Sequence, residues 1–212
     1  MAYFGLWHAV ISIIRKIAVK VLLTTRSHRE AADSRHSLGN KPLYTIGYEG
    51  AELGELLLTL RKQSIEQVID VRELPLSRKR GFSKNSLKEA LNAHGIEYLH
   101  IRALGDPKAG RMAARSGDFV AFRRLYETHL KLKAAQDALI EASRAAKKKT
   151  SVLLCYELDF ENCHRSIVAS SLSFNYGFMI HHLYVNRSKI GSASCRESEK
   201  NSEVAISLKK KK

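Results

Sequence analysis

The sequence predicts a single α/β domain of three layers, with a mainly parallel sheet covered by helices on both faces. Short apolar runs at Leu43–Ile46, Val68–Val71, Ile96–Ile101, Val152–Leu154 and Phe178–Leu183 alternate with longer stretches of helical periodicity. That alternation is the pattern of β-α-β units. Hairpin signals between the runs are few, which favours parallel strands buried on both sides. No internal repeat is present, and the domain is expected over 41–186.

Taken in order, Leu43–Ile46 is the first strand and Gly47-Tyr48-Glu49-Gly50 the turn after it. Leu53, Leu56, Leu57 and Leu60 share one face of a helix over 53–62. Val68–Val71 is a buried strand whose carboxyl end delivers Arg72, and a long cationic loop with Ser77, Arg78, Lys79 and Arg80 follows. Ser83 suits an N-cap for a helix through Leu87 and Leu91, stopped near Gly95. Ile96–Ile101 is the third strand, and 104–117 reads as irregular. Asp118 caps a helix carrying Phe122, Tyr126 and Leu130. An alanine-rich helix over 133–146 then ends in Lys147-Lys148-Lys149, where cations oppose the macrodipole. The strand Val152–Leu154, an acidic loop (Glu157, Asp159, Glu161), a helix opened by Cys163-His164-Arg165 and a last strand close the domain.

The two ends read differently. Met1–Leu23 gathers His8, Arg15, Lys16 and Lys20 near one helical face, as an interfacial amphipathic helix does, and those charges break the apolar run before it could span a membrane. With its polar linker to residue 40, it is a surface helix, a helix packed on the core, or translated upstream sequence outside the natural protein. The last is the expectation. Beyond Asn186, IGSASCRE and VAISLKKKK look like a sequencing adapter translated into a poly-adenine run. Residues 187–212, Cys195 included, are therefore expected to lie outside the functional unit; the alternative is a disordered basic tail.

The formal charge is +15, from 36 basic and 21 acidic residues. Eight basic and three acidic residues lie beyond Asn186, so the remainder keeps +10. This balance favours an anionic partner such as a nucleotide, nucleic acid or membrane surface, without bearing on the fold. Three cysteines with no disulfide-like framework point to a reducing cytoplasm.

Strand ends of a parallel sheet share one rim, where ligands of open α/β sheets bind. Tyr48, Glu49, Asp70, Arg72, His100 and Cys155-Tyr156-Glu157 should converge there, joined by Ser77, Arg78 and Lys79 and by Cys163-His164-Arg165 at a helix start. Cys163, beside His164 and Arg165 in a first helical turn, has surroundings that lower a thiol pKa, with the acidic loop opposing. It is the candidate nucleophile; the alternative is a small packing residue. Cys155 is expected to be a buried core cysteine. Glu157 or Asp70 is the candidate general base or hydroxyl anchor, with His164 as acid. Arg72, Arg78 and Arg165 are candidates for phosphate, though Arg72 could equally pair internally with Asp70 or Glu157. The rings of Tyr48, Phe82, Tyr98 and Tyr156 suit a base. Cys155, Cys163 and His164, with Glu157 or Asp159, are metal-ligand types. Yet C-x7-C-H lacks the close-spaced cysteine clamp of zinc sites, so the sequence assigns no metal and names no cofactor.

With these residues in view, the chain resembles the bacterial and archaeal family catalogued as domain of unknown function 488. The resemblance rests on TIGYEG (45–50), IDVRELPLSRKRGFSK (69–84), GIEYLHIRALG (95–105), LLCYELDFENCHRS (153–166) and HHL (181–183). It implies a compact α/β domain and a rim formed by Tyr48, Asp70, Arg72, Ser77, Arg78, Cys155, Glu157, Cys163, His164 and Arg165. It implies no reaction.

The leading expectation is an enzyme acting on a nucleotide or nucleic-acid substrate through the cysteine, histidine, carboxylate and arginine groups of that rim, with Tyr156 and Ser77 among the binding residues. The alternatives are a noncatalytic nucleic-acid-binding module and a metal-dependent hydrolase or regulator. The sequence does not choose between catalysis and binding, and it is silent on oligomeric state.

Overall fold

Five apolar runs become strands: β1 (Pro42–Gly47), β2 (Gln67–Asp70), β3 (Glu97–His100), β4 (Ser151–Cys155) and β5 (Met179–Leu183). The computed structural model of the chain describes residues 41–185, so the readings made for 1–40 and 187–212 lie outside the described residues. All strand pairings are parallel, in the order β3-β2-β4-β1-β5. The register sets Gly47 beside Cys155 and Asp70 beside Leu154, which aligns the carboxyl ends of β1, β4 and β2. β4 is central and buried at every residue.

Six helices connect them: α1 (Leu53–Lys62), α2 (Lys84–Asn92), α3 (Lys108–Arg115), α4 (Phe119–Leu130), α5 (Lys133–Lys148) and α6 (His164–Tyr176). From β1 to β2 to β3 the chain travels toward one edge of the sheet; from β3 to β4 to β5 it travels back. Right-handed crossovers require the connecting helices to change face when the direction reverses. The core divides accordingly. Leu56, Leu60, Leu87 and Leu91 of α1 and α2 pack on Ile46, Val68, Val152 and Leu154. Phe122, Tyr126, Leu139, Val168 and Leu172 of α4, α5 and α6 pack on Leu43, Ile69 and Leu153. Neighbouring strand residues thus serve opposite layers, as the pleat demands.

Most expected elements form within a residue or two of the boundaries read from sequence. The irregular stretch 104–117 is the exception. A 3-10 turn at Arg102–Leu104 and the helix α3 occupy much of it. The α3 sequence is rich in alanine, arginine and methionine, all good helix formers, and Gly110 disguises that content. A Cβ there would lie 2.1 Å from Asp106 Oδ1, so any larger residue would make that carboxyl move. Ser83 stands at the N-cap of α2 but makes no capping bond. Its hydroxyl instead donates to the Ser77 carbonyl at 3.1 Å and accepts from the Ser77 N–H at 3.2 Å, tying down the cationic loop. Cys163 is the N-cap of α6 rather than a residue of its first turn. Among the described residues no helix is long and apolar enough to cross a membrane.

Leu153 is fully buried in the central strand. Leu153→Ala should cost about 2–5 kcal/mol in urea unfolding, and a loss below about 1 kcal/mol would contradict the packing described.

Candidate active site

The carboxyl ends of β1, β2 and β4 open into a cleft of about 660 Å³. Its position depends on how the loop leaving β4 is held. The Arg165 guanidinium, on the first turn of α6, donates from NH1 to the Glu157 carbonyl and from NH2 to the Leu158 carbonyl, the latter at 2.9 Å. Gly47 lets this loop lie against β1, since a Cβ there would stand 1.8 Å from the Glu157 carbonyl oxygen. Arg165 is 1% exposed. Its expected part in phosphate binding is corrected: the side chain is spent inside the protein on backbone carbonyls.

Arg72 and Asp70 are also committed to partners within the protein. Arg72 Nε donates to Asp70 Oδ1 at 2.8 Å and NH2 to Oδ2 at 2.5 Å. NH1 donates to the Tyr48 hydroxyl at 2.7 Å and the Phe82 carbonyl at 3.0 Å. Tyr98 donates its hydroxyl to Asp70 Oδ2 at 2.6 Å. Asp70 is fully buried, so it cannot meet a substrate. The internal ion pair is the reading that holds. Tyr48 is also buried, stacked on Phe82 at 4.4 Å with Tyr156 edge-on at 5.4 Å. Of the rings expected to receive a base, Tyr156 is the one with much exposed surface.

Behind the cleft lies a polar cluster. Cys155 and Cys163 both donate thiol protons to Glu157 Oε2, at 2.9 and 3.1 Å. His164 Nε2 donates to the Val71 carbonyl at 2.9 Å, which turns Nδ1 toward Cys155 Sγ at 3.7 Å and Cys163 Sγ at 4.0 Å. Burial pushes both thiols above their ordinary pKa. For Cys163 desolvation outweighs His164 and favours the neutral thiol, which opposes the expected nucleophile role. Burial acts to raise Glu157 too, but the Cys155 thiol, His164 and the Cys163 thiol hold its carboxyl below the usual range. Cys155 is buried as expected, yet it also lines the cleft. Asp159 is not part of the cluster; its oxygens accept from the Glu161 N–H and Asn162 Nδ2.

The outer wall carries the cations. Arg78 is exposed on the cleft and has no ion pair among the described residues, while Lys79 reaches Glu52 at 3.3 Å. Ser77 also lines the cleft, its hydroxyl accepting from the Lys79 N–H. Three lining residues went unnoticed in the sequence: Asp106, Arg111 and Arg115. Arg111 pairs with Glu73 and the Asp106 carbonyl, whereas Arg115 has no ion pair among the described residues. Their signal was present. Pro107 suits a helix start, and arginines four apart share a helical face. Asp106 is 5% exposed and its Oδ1 has no hydrogen-bond partner. A second cavity of about 380 Å³ adjoins the first, sharing Asp106, Arg111, Arg115, Tyr156, Glu157 and His164, and Cys163 lines it. His100, which donates to the Arg72 carbonyl, and His181 and His182 line neither.

The family model described as Domain of unknown function DUF488 matches residues 52–172, more than half of the chain. No curated protein and no solved structure matches.

Arg72→Ala should leave Asp70 charged, buried and unpaired, and cost about 3–5 kcal/mol in urea unfolding. A cost near zero would show the pair to be solvated. Burial also pushes the Asp106 carboxyl up to about 6, with His164, Arg111 and His129 acting against the shift and Glu157 with it. The folded chain thus holds this proton more tightly than the unfolded chain does. Ionisation should weaken the fold as pH rises from about 4 to about 6. Asp106→Asn does not ionise, so its stability relative to the native chain should climb across that window. The gain, with solvent screening allowed for, is on the order of 1 kcal/mol. A difference in urea midpoints that does not move with pH would refute this.

Proposed function

The chain belongs to the family described as Domain of unknown function DUF488, and from the site it carries we propose that it is an enzyme acting on a phosphate-bearing nucleotide or nucleic-acid end. The observation that carries the reading is the pairing of opposite roles on one cleft. Arg78 and Arg115 stand there without ion pairs among the described residues, and the same cleft is lined by Asp106, a buried carboxyl with an unpartnered oxygen. Free guanidinium groups suit phosphate oxygens, which they can grip in a bidentate way. A carboxyl whose pKa is pushed up to about 6 is matched to proton transfer near neutral pH. The half-exposed ring of Tyr156 gives a base a surface to stack on. In this reading Arg72, Arg165 and Asp70 shape the cleft from behind, and Arg78, Arg115, Ser77 and Tyr156 bind.

The test uses the full chain and a fluorescent single-stranded oligonucleotide bearing a 5′-phosphate. Arg78→Ala and Arg115→Ala should each weaken binding about tenfold and lower the salt dependence by about one released counterion. Asp106→Asn should keep binding and lose turnover of the oligonucleotide. Binding that ignores both salt and the two arginines would end the phosphate reading. Salt-dependent binding without turnover in the native chain would leave a noncatalytic binding module instead.

A further inference from the structure

We propose that Cys155, Glu157, Cys163 and His164 form a four-donor site for one zinc-class divalent cation, which joins the loop after β4 to the start of α6. The inference does not rest on the phosphate reading. The four residues offer one donor atom each, and these atoms all lie within 4.8 Å of one another. A tetrahedral zinc ion with sulfur at about 2.3 Å and nitrogen or oxygen at about 2.0–2.1 Å has ligand-to-ligand edges of roughly 3.3–3.8 Å. The observed separations of 2.9, 3.1, 3.7 and 4.0 Å bracket that range.

Glu157 Oε2 accepts both thiol protons. His164 Nε2 donates to the Val71 carbonyl, and the polar neighbours of Nδ1 are the two sulfurs, so all four side chains face one common point. When a cation binds there, the two thiol protons and any proton on Nδ1 leave to solvent, two sulfur–metal bonds form, and Nδ1 and the carboxylate complete the set.

The surroundings are those of a metal centre. Metal-bound histidines commonly donate their other ring N–H to a carbonyl or carboxylate, as His164 does to Val71. Two thiolates and a carboxylate around a divalent ion leave one net negative charge. Arg165, buried in the adjoining turn with Nε unpartnered, supplies the compensating positive charge. Thiolate with imidazole selects a borderline-soft ion such as zinc over magnesium or calcium. Four protein ligands make a closed set, so the ion holds structure and leaves the chemistry of the cleft to other groups.

The experiment is elemental analysis of the untagged full chain, followed by titration of metal-free protein with Co²⁺. The expected result is one zinc per chain as purified, and a thiolate-to-cobalt absorption band that saturates at one equivalent. Zinc should raise the thermal midpoint. Cys155→Ser with Cys163→Ser should abolish the band, and Glu157→Gln should weaken cobalt binding at least about tenfold. If the serine variant fails to fold, as judged by circular dichroism, the Glu157→Gln result decides. No cobalt band in the folded native chain overturns the proposal, as does cobalt binding unchanged in either variant. Metal content and oligonucleotide binding are separate readouts, so either reading can fail without the other.

Discussion

The loop that leaves the central strand is held in place by a guanidinium taken out of water. Arg165 binds the carbonyls of Glu157 and Leu158 and so fixes the path of the chain as it leaves the central strand. The loop then presses against β1 where Gly47 leaves room. That path turns the Glu157 side chain inward to the two thiols and leaves Tyr156 facing solvent. A charge desolvated this way is costly unless its donors are occupied. Here two carbonyls take one donor from each terminal nitrogen, and Nε is left without a partner.

Burial sorts the cations of the rim into two kinds. Arg72 and Arg165 sit behind the surface and spend their donors on Asp70, Tyr48, Phe82 and backbone carbonyls. Arg78 and Arg115 stand in front, where solvent already screens them and a ligand can replace water at little cost. The same sorting applies to acids. Asp70 is neutralised by its arginine, Glu157 is committed to sulfur, and Asp106 keeps a fully buried oxygen without a partner.

Topology explains why so many of these groups meet. β4 enters the sheet between β2 and β1, so its loop is flanked by the loops of both neighbours. The return path through α3 carries Asp106 and Arg115 over the same edge. One rim therefore receives side chains from segments more than a hundred residues apart. Cys155 and Cys163 come together for a more local reason: a strand end and the next helix start have to be near each other.

Apolar periodicity was enough to foresee the strands, most helices and the parallel three-layer arrangement, because burying apolar surface on a regular backbone leaves a regular trace in the chain. It also pointed to the rim where the cleft opens, since parallel strands have all their carboxyl ends on one side. α3 escaped because Gly110 and the polar character of its neighbours obscured a short helix, and with it went Asp106 and Arg115. Spacing left the role of Arg72 open between an internal pair and a ligand, and it did not show how Arg165 and Cys163 are buried. A guanidinium or a thiol looks the same in sequence whether water or a carboxylate surrounds it, and its chemistry follows from desolvation and from the partner it meets. Those are properties of packed three-dimensional neighbours, which here come from β2, β4 and α6 together.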